Sequence, residues 1–284
     1  MSIQYGQLYL VGTPLGNLED ITLRALRILQ EVDLIAAEDT RHTLKLLNHF
    51  GIKKPLTSIH QHNERERSEG LIERIQNGTS VALVSDAGMP GISDPGCWLV
   101  QEALKQGIAV VPIPGPSAVV TALAASGLDT GSFWFAGFLP RRKREQAQVL
   151  TAMKKFPGTL VFYEAPHRVK ATLQNIRQVF GDRQVVLARE LTKLHEEFIR
   201  GRCDEIIQHL EQKGAKGEFT VLVEGCLEGE PIRHDSTNPD LEKILSEINK
   251  GNGSLRKNLK MIADQTGKTT REIYQIYLET KAKK

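Results

Sequence analysis

Carboxylates recur in this chain at one kind of place, the end of a short apolar run. Glu38 and Asp39 follow Leu34 to Ala37, Asp86 follows Val81 to Val84, Glu164 follows Thr159 to Tyr163, and Glu190 follows Val185 to Ala188. An acid held at such an edge can accept a proton or grip a positively charged group. Cations keep the same company: Arg41, Arg168, Arg189 and Lys193 lie within a few residues of those acids, where they can neutralise a polyanion or depress the pKa of a hydroxyl. Glu38, Asp39, Glu164 and Glu190 all remain open as proton acceptor. Glu38 and Lys193 are the favoured catalytic pair.

The longest such edge is the stretch Val81 to Ala118. An apolar run stops at Ser85-Asp86 and runs into Gly88, Pro90, Gly91, Pro95 and Gly96, so a buried strand opens into an irregular loop. A second strand, expected at Ile108 to Val111, ends in the loop PIPGPSA. In open α/β sheets, ligands bind outside the carboxyl ends of strands, and glycines there let backbone groups approach a ligand directly. Asp86 and Asp94 sit in the first loop with no Lys or Arg, and no G-x-x-x-x-G-K-[ST] spacing occurs. Phosphate is therefore a poor ligand for it. A cation with hydroxyl and amino groups, such as S-adenosylmethionine, suits carboxylates and carbonyls better.

VGTPLGN (Val11 to Asn17), AAEDTRHT (Ala36 to Thr43), PGPSA (Pro114 to Ala118), FYEAPHR (Phe162 to Arg168) and KGEFTVLVEG (Lys216 to Gly225) flank further expected strands. With SDAGMPGISDPG, their order and spacing resemble the tetrapyrrole methylase fold family, and within it the branch that methylates ribosomal RNA. The resemblance covers nearly the whole chain. It implies two α/β domains with an active-site cleft between them and S-adenosylmethionine as methyl donor. The implied reaction is methylation of a cytidine 2'-hydroxyl in 16S ribosomal RNA near the decoding site, on naked RNA or on the small subunit, by a homodimer. By the same resemblance Thr13, Pro14, Asp86, Gly88, Met89, Pro90, Ser117, Ala118, Tyr163, Ala165, Leu191 and Gly217 surround the cofactor. Two other readings stand beside it: a methylase of small tetrapyrrole-type substrates, and a non-catalytic RNA-binding assembly factor.

A chain of 284 residues suits two domains. The expected bounds are 1–115 and 116–228 for the α/β domains, 229–239 for a linker rich in Gly, Pro, Asp and Asn, and 240–284 for a helical appendage. No apolar run reaches the roughly 18 residues of a membrane span and no signal peptide opens the chain, which predicts a cytoplasmic protein. The three cysteines lack CxxC spacing and the eight histidines form no ligand pattern, so no metal is expected.

The net charge of +3 is unevenly spread. Residues 241–284 carry ten Lys or Arg against five Asp or Glu, leaving 27 against 29 in the first 240. A basic tail on a near-neutral body points to a polyanionic partner. The tail reads as three short helices resembling a helix-turn-helix, with Arg271 opening the recognition-type helix. Arg141-Arg142-Lys143-Arg144 follow the aromatic strand Phe133 to Phe138, and cations at the start of a helix call for an anion there. The expected RNA contacts are thus Arg41, the run 141–144, Arg168, Arg189 and Arg271.

Further expectations concern helix ends. Asp20 or Thr22 starts the first helix, Thr40 or Thr43 caps the second, Asn63 caps the third, and Ser117 lies inside the first turn of a small-residue helix, Ala118 to Ser126.

Overall fold

The computed structural model describes residues 6–60 and 63–226, which fall in one compact unit. The expected linker 229–239 and the appendage 240–284 with Arg271 lie outside the described residues.

The first sheet contains β1 (Leu8–Val11), β2 (Leu34–Ala37), β3 (Leu56–Ser58), β4 (Val81–Val84) and β5 (Val110–Ile113), all parallel, in the order β3-β2-β4-β1-β5. Helices α1 (Leu23–Glu31) and α2 (Thr40–His49) bury Ile28, Leu29 and Leu47 on one face. On the other, α3 (Glu64–Gln76) and α4 (Cys97–Lys105) bury Leu71, Ile75 and Leu99. Covering both faces is why LIAA and VALV are unbroken apolar runs rather than alternating ones. From β1 the chain crosses to β2 on one side, and from neighbouring β4 it crosses to β5 on the other. The carboxyl ends of β1 and β4 therefore mark the point where connections diverge, and a crevice opens there.

The second sheet contains β6 (Phe133–Phe138), β7 (Thr159–Glu164), β8 (Gln184–Arg189), β9 (Glu197–Arg202) and β10 (Phe219–Val223), in the order β6-β7-β10-β8-β9. Only β6 and β7 are parallel; β10 runs antiparallel to both β7 and β8. Phe219 consequently lies opposite both Glu164 and Arg189. Lys216-Gly217-Glu218, which precede β10, thereby reach the same sheet edge as the residues that follow β7 and β8.

Helices α6 (Lys143–Met153), α7 (Val169–Phe180) and α8 (Cys203–Lys213) pack on one face around Leu150, Phe162, Leu173 and Leu210. The opposite face is covered by α5 (Ala118–Ser126), whose Val119, Ala122 and Leu123 pack with Val161, Val186 and Leu222. Leu15, from the loop after β1, packs against the same cluster. The helix that follows the last strand of one sheet thus seats on the other, and its small residues allow the close approach.

Several boundaries differ from expectation. The strand expected at Ile108 to Val111 is β5, shifted to Val110–Ile113, because Gly107 and Ile108 close α4 by donating to the carbonyls of Leu104 and Ala103. Asp39, not Thr40 or Thr43, caps α2, its carboxylate accepting from the Arg41 N–H at 2.8 Å. Asn63 stands at the cap position of α3 but turns its side chain back to accept from the His60 N–H. Ser117 is the cap residue of α5, outside its first turn. Thr22 is the cap of α1, accepting from the Ala25 N–H at 3.1 Å. The edge strand β9 was not expected, since EFIRGR carries the charges that blunt a sheet edge and hides its alternation.

Candidate active site

The loops that leave the first sheet converge on one another. Thr13 and Gly88 exchange two backbone hydrogen bonds, 2.9 and 3.0 Å, which join the loops after β1 and β4. The Thr13 hydroxyl donates to the Ser85 carbonyl at 3.0 Å. Gly12 and Gly115 meet backbone to backbone: a Cβ on Gly115 would stand 2.8 Å from the Gly12 Cα. A side chain at either position would push the loops after β1 and β5 apart. Met89 lies over Gly12, and Pro116 passes beside Gly88. Thr13, Gly88 and Met89 therefore meet beside Gly12, Gly115 and Pro116, with Pro14, Pro90 and Ser117 next to them along the chain.

Three carboxylates border it. Burial, and then the nearby Asp86 charge, raise the pKa of Glu38, although Glu38 accepts the Asp86 N–H. Asp86 Oδ1 accepts from the Asp39 N–H at 3.1 Å. Asp94 is pushed up to about 6 by burial and by the charges of Glu38 and Asp86, with the Ser85 hydroxyl pulling the other way. The residue before it, Ser93, has a φ of 65°, a conformation a non-glycine residue keeps only where its surroundings hold it.

The second sheet supplies the facing wall. The Tyr163 hydroxyl is raised to about 12 by burial and then by the Asp94 charge, and it accepts the Val119 N–H. It thereby serves the start of α5, which has no side-chain cap from Ser117. Ala165 follows the fully buried Glu164 carboxylate and donates to it at 2.9 Å. Leu191 is buried against α5. Glu190 and Thr192 on either side of it both have positive φ, 50° and 66°. A Cβ on Gly217 would meet the Glu190 side chain at 2.5 Å, so Gly217 lies directly on that loop.

Lys193 crosses from the second sheet to the first. Its ammonium sits 3.0 Å from both Glu190 and Glu218, and its methylenes lie against Gly16 in the loop after β1. Burial lowers its pKa, but the bonds to Glu218 and Glu190 outweigh that and leave it raised. For Glu190 the balance has the same form: burial raises the pKa, and the Glu218 N–H and Lys193 together bring it below the usual value. At neutral pH this pair is an ammonium and a carboxylate.

The expected RNA contacts fall into two groups. Arg41 is exposed beside the crevice and paired with Asp39 at 3.0 Å, which holds the Asp39 carboxyl at about 2. Arg141, Arg142, Lys143 and Arg144 are exposed at the start of α6, Arg142 pairing with Glu145. Arg168 and Arg189 are committed inward. Arg168 pairs with Glu164 at 3.2 Å and donates to the carbonyls of Leu139 and Pro140 at 2.7 and 3.1 Å. Arg189 donates to the Lys216 carbonyl and pairs with Glu197. These bonds hold the walls and take up part of each guanidinium's five donors, which leaves fewer for a phosphate.

Asp94 is the site residue that the sequence reading left in the loop without a role. Its signal was the second Ser-Asp in SDAGMPGISDPG. The crevice fits the expected methyl donor: carboxylates and open backbone border it, and the loops after β1, β4 and β5 carry no Lys or Arg. No group of three or more His, Cys, Asp or Glu among the described residues could hold a metal ion.

A family model described as Tetrapyrrole (Corrin/Porphyrin) Methylases matches residues 7–207. The chain is 50% identical over 275 residues to Ribosomal RNA small subunit methyltransferase I of Halalkalibacterium halodurans, covering 96% of this chain and 94% of that one. It is 51% identical over 220 residues to the protein of the same name from Thermotoga maritima, covering 78% of this chain and 99% of that one. Among solved structures, diphthine synthase superposes with a TM-score of 0.62 at 19% identity, over 78% of this chain and 90% of that one. Uroporphyrin-III C-methyl transferase from Thermus thermophilus, complexed with S-adenyl homocysteine, gives 0.55 at 20% identity over 76% and 97%.

Proposed function

The chain belongs to the tetrapyrrole methylase family, and from that membership we propose that it is an S-adenosylmethionine-dependent methyltransferase acting on the 2'-hydroxyl of a cytidine in 16S ribosomal RNA, near the decoding site. The observation that carries the reading is the 50% identity to a ribosomal RNA small subunit methyltransferase I over 275 residues, a span longer than the 7–207 matched by the family model. The basic tail and the cationic run 141–144 support a polyanionic substrate over a tetrapyrrole acid. Such a substrate implies a cytoplasmic enzyme, and the family resemblance implies a homodimer.

S-adenosylmethionine, when bound, supplies a methyl group on a sulfonium, already activated for displacement. The residues proposed to hold it are Thr13, Pro14, Asp86, Gly88, Met89, Pro90, Ser117, Ala118, Tyr163, Ala165, Leu191 and Gly217. What remains for the chain is to align the ribose oxygen behind the methyl carbon and take its proton as the oxygen–carbon bond forms. A carboxylate suits that task, and burial beside Asp86 makes Glu38 more basic than an ordinary glutamate. Lys193 stays charged between Glu190 and Glu218, so its role is electrostatic: it favours the ionised ribose oxygen and holds the loop after β1 against the second sheet.

The test is labelled methyl transfer from S-adenosylmethionine to small ribosomal subunits, free 16S RNA and a tetrapyrrole acid in parallel. Label in ribosomal RNA is the expected result. Label in the tetrapyrrole alone, or in none, overturns the reading.

A further inference from the structure

Tyr163 carries, besides its link to Asp94, a pair of aromatic neighbours whose arrangement needs explanation. Its ring lies 4.9 Å from Phe135 and 5.5 Å from Phe138. In a regular strand, residues three apart point to opposite faces, so one tyrosine cannot meet both. Here the pairing of β6 with β7 shifts register between Phe135 and Phe138, and Gly137 inside the shift has a φ of 63°. The extra residue turns Phe138 onto the face of Phe135, a standard use of a bulge beside a functional site. Glycine is required there twice over, since a Cβ would also stand 2.9 Å from the Ser93 hydroxyl of the loop that carries Asp94.

This distortion does not bury Phe138, which remains 57% exposed. Single exposed apolar residues are ordinary, but this one is fixed in place. Arg168 clamps the carbonyls of the next two residues, Leu139 and Pro140, and is itself anchored on the buried Glu164 carboxylate. The exposed cations Arg141 to Arg144 come directly after. A rigid open aromatic face followed by cations, at the mouth of a crevice, matches single-stranded RNA: a base stacks on the ring while its backbone follows the charges.

Resting on the methyltransferase reading above, we propose that Phe138 is a stacking platform for an unstacked base of the RNA substrate adjacent to the ribose being methylated. It is a positioning residue, and the clamp through Arg168 and Glu164 holds it in place.

The test compares the full-length wild type with Phe138→Leu, which keeps apolar bulk without a ring, and Phe138→Tyr, which keeps the ring. Methyl transfer to small subunits gives KM and kcat, calorimetry gives donor affinity, and sedimentation gives the oligomeric state. Phe138→Leu should raise the RNA KM roughly tenfold or more with donor affinity held, and Phe138→Tyr should stay within about twofold of wild type. A Phe138→Leu enzyme with wild-type KM overturns the proposal, as does an equal loss of donor affinity, which would mean that Phe138 merely props Tyr163. A change in sedimentation would instead make the ring part of a contact between copies of the chain. If the wild type transfers no methyl group to RNA, it is the function itself that fails, and the platform with it.

Discussion

Asp94 is the side chain at which geometry and charge are most opposed. Its pKa of about 6 in the folded protein stands above the free value of 3.8, so the folded state holds a proton that the unfolded chain has already released. That contribution to stability is fully present below about pH 4 and is lost as pH rises through 6. The melting temperature of the wild type relative to Asp94→Asn should therefore fall between those limits and level off above them. Parallel melting curves would mean that Asp94 is better solvated than its position beside Glu38 and Asp86 implies. The residues around it were unevenly legible in the sequence. Glu38, Asp86 and Lys193 stand out as charges at strand ends. The inward commitment of Arg168 and Arg189 is hidden there, because the carbonyls they bond, those of Leu139, Pro140 and Lys216, are distant in sequence and only the fold brings them near.

The secondary-structure elements were read well where burial alone decides them. β2, β4, β6 and α5 have the expected bounds: β2 and β4 are apolar runs buried along their whole length, β6 is an aromatic strand at the edge of its sheet, and α5 is a run of small apolar residues. The misses have local causes. At α2 the choice lay among neighbouring cap-formers, and Asp39 prevailed because its carboxylate reaches the Arg41 N–H. At β5 the turn of Gly107 and Ile108 consumed the residues that periodicity had assigned to the strand. β9 is short of apolar residues because it is an edge. The reversal of β10, which brings Gly217 to the Glu190 loop, depends on pairing between distant strands and has no signature in the local sequence. The bulge at Gly137 is likewise hidden, since a glycine in a strand announces a distortion without saying what it aims.

At the scale of the molecule, the working surfaces divide by charge. The crevice bordered by Glu38, Asp86 and Asp94 has acids at its edge, whereas the run at the start of α6 and the tail sequence are basic. On the function proposed above, that division would separate the grip on a cationic donor from the grip on a polyanion. Replacing Arg141, Arg142, Lys143 and Arg144 together by Ala should weaken RNA binding and flatten the plot of log affinity against log salt by up to about 3, at roughly 0.7 per lost phosphate contact on a single strand. Donor affinity should not move. Loss of donor binding in that variant would place the run in the crevice and remove the division.

The position of the transferred methyl group tests the account most directly. A methyl on the ribose 2'-oxygen blocks alkaline cleavage of the adjacent phosphodiester, so RNA labelled by this protein and hydrolysed in alkali reports the reacting atom. The account predicts that the label survives in an alkali-resistant dinucleotide with cytidine on its 5' side. Label released in mononucleotides would mean methylation of a base, and would contradict a crevice built to align a hydroxyl and take its proton.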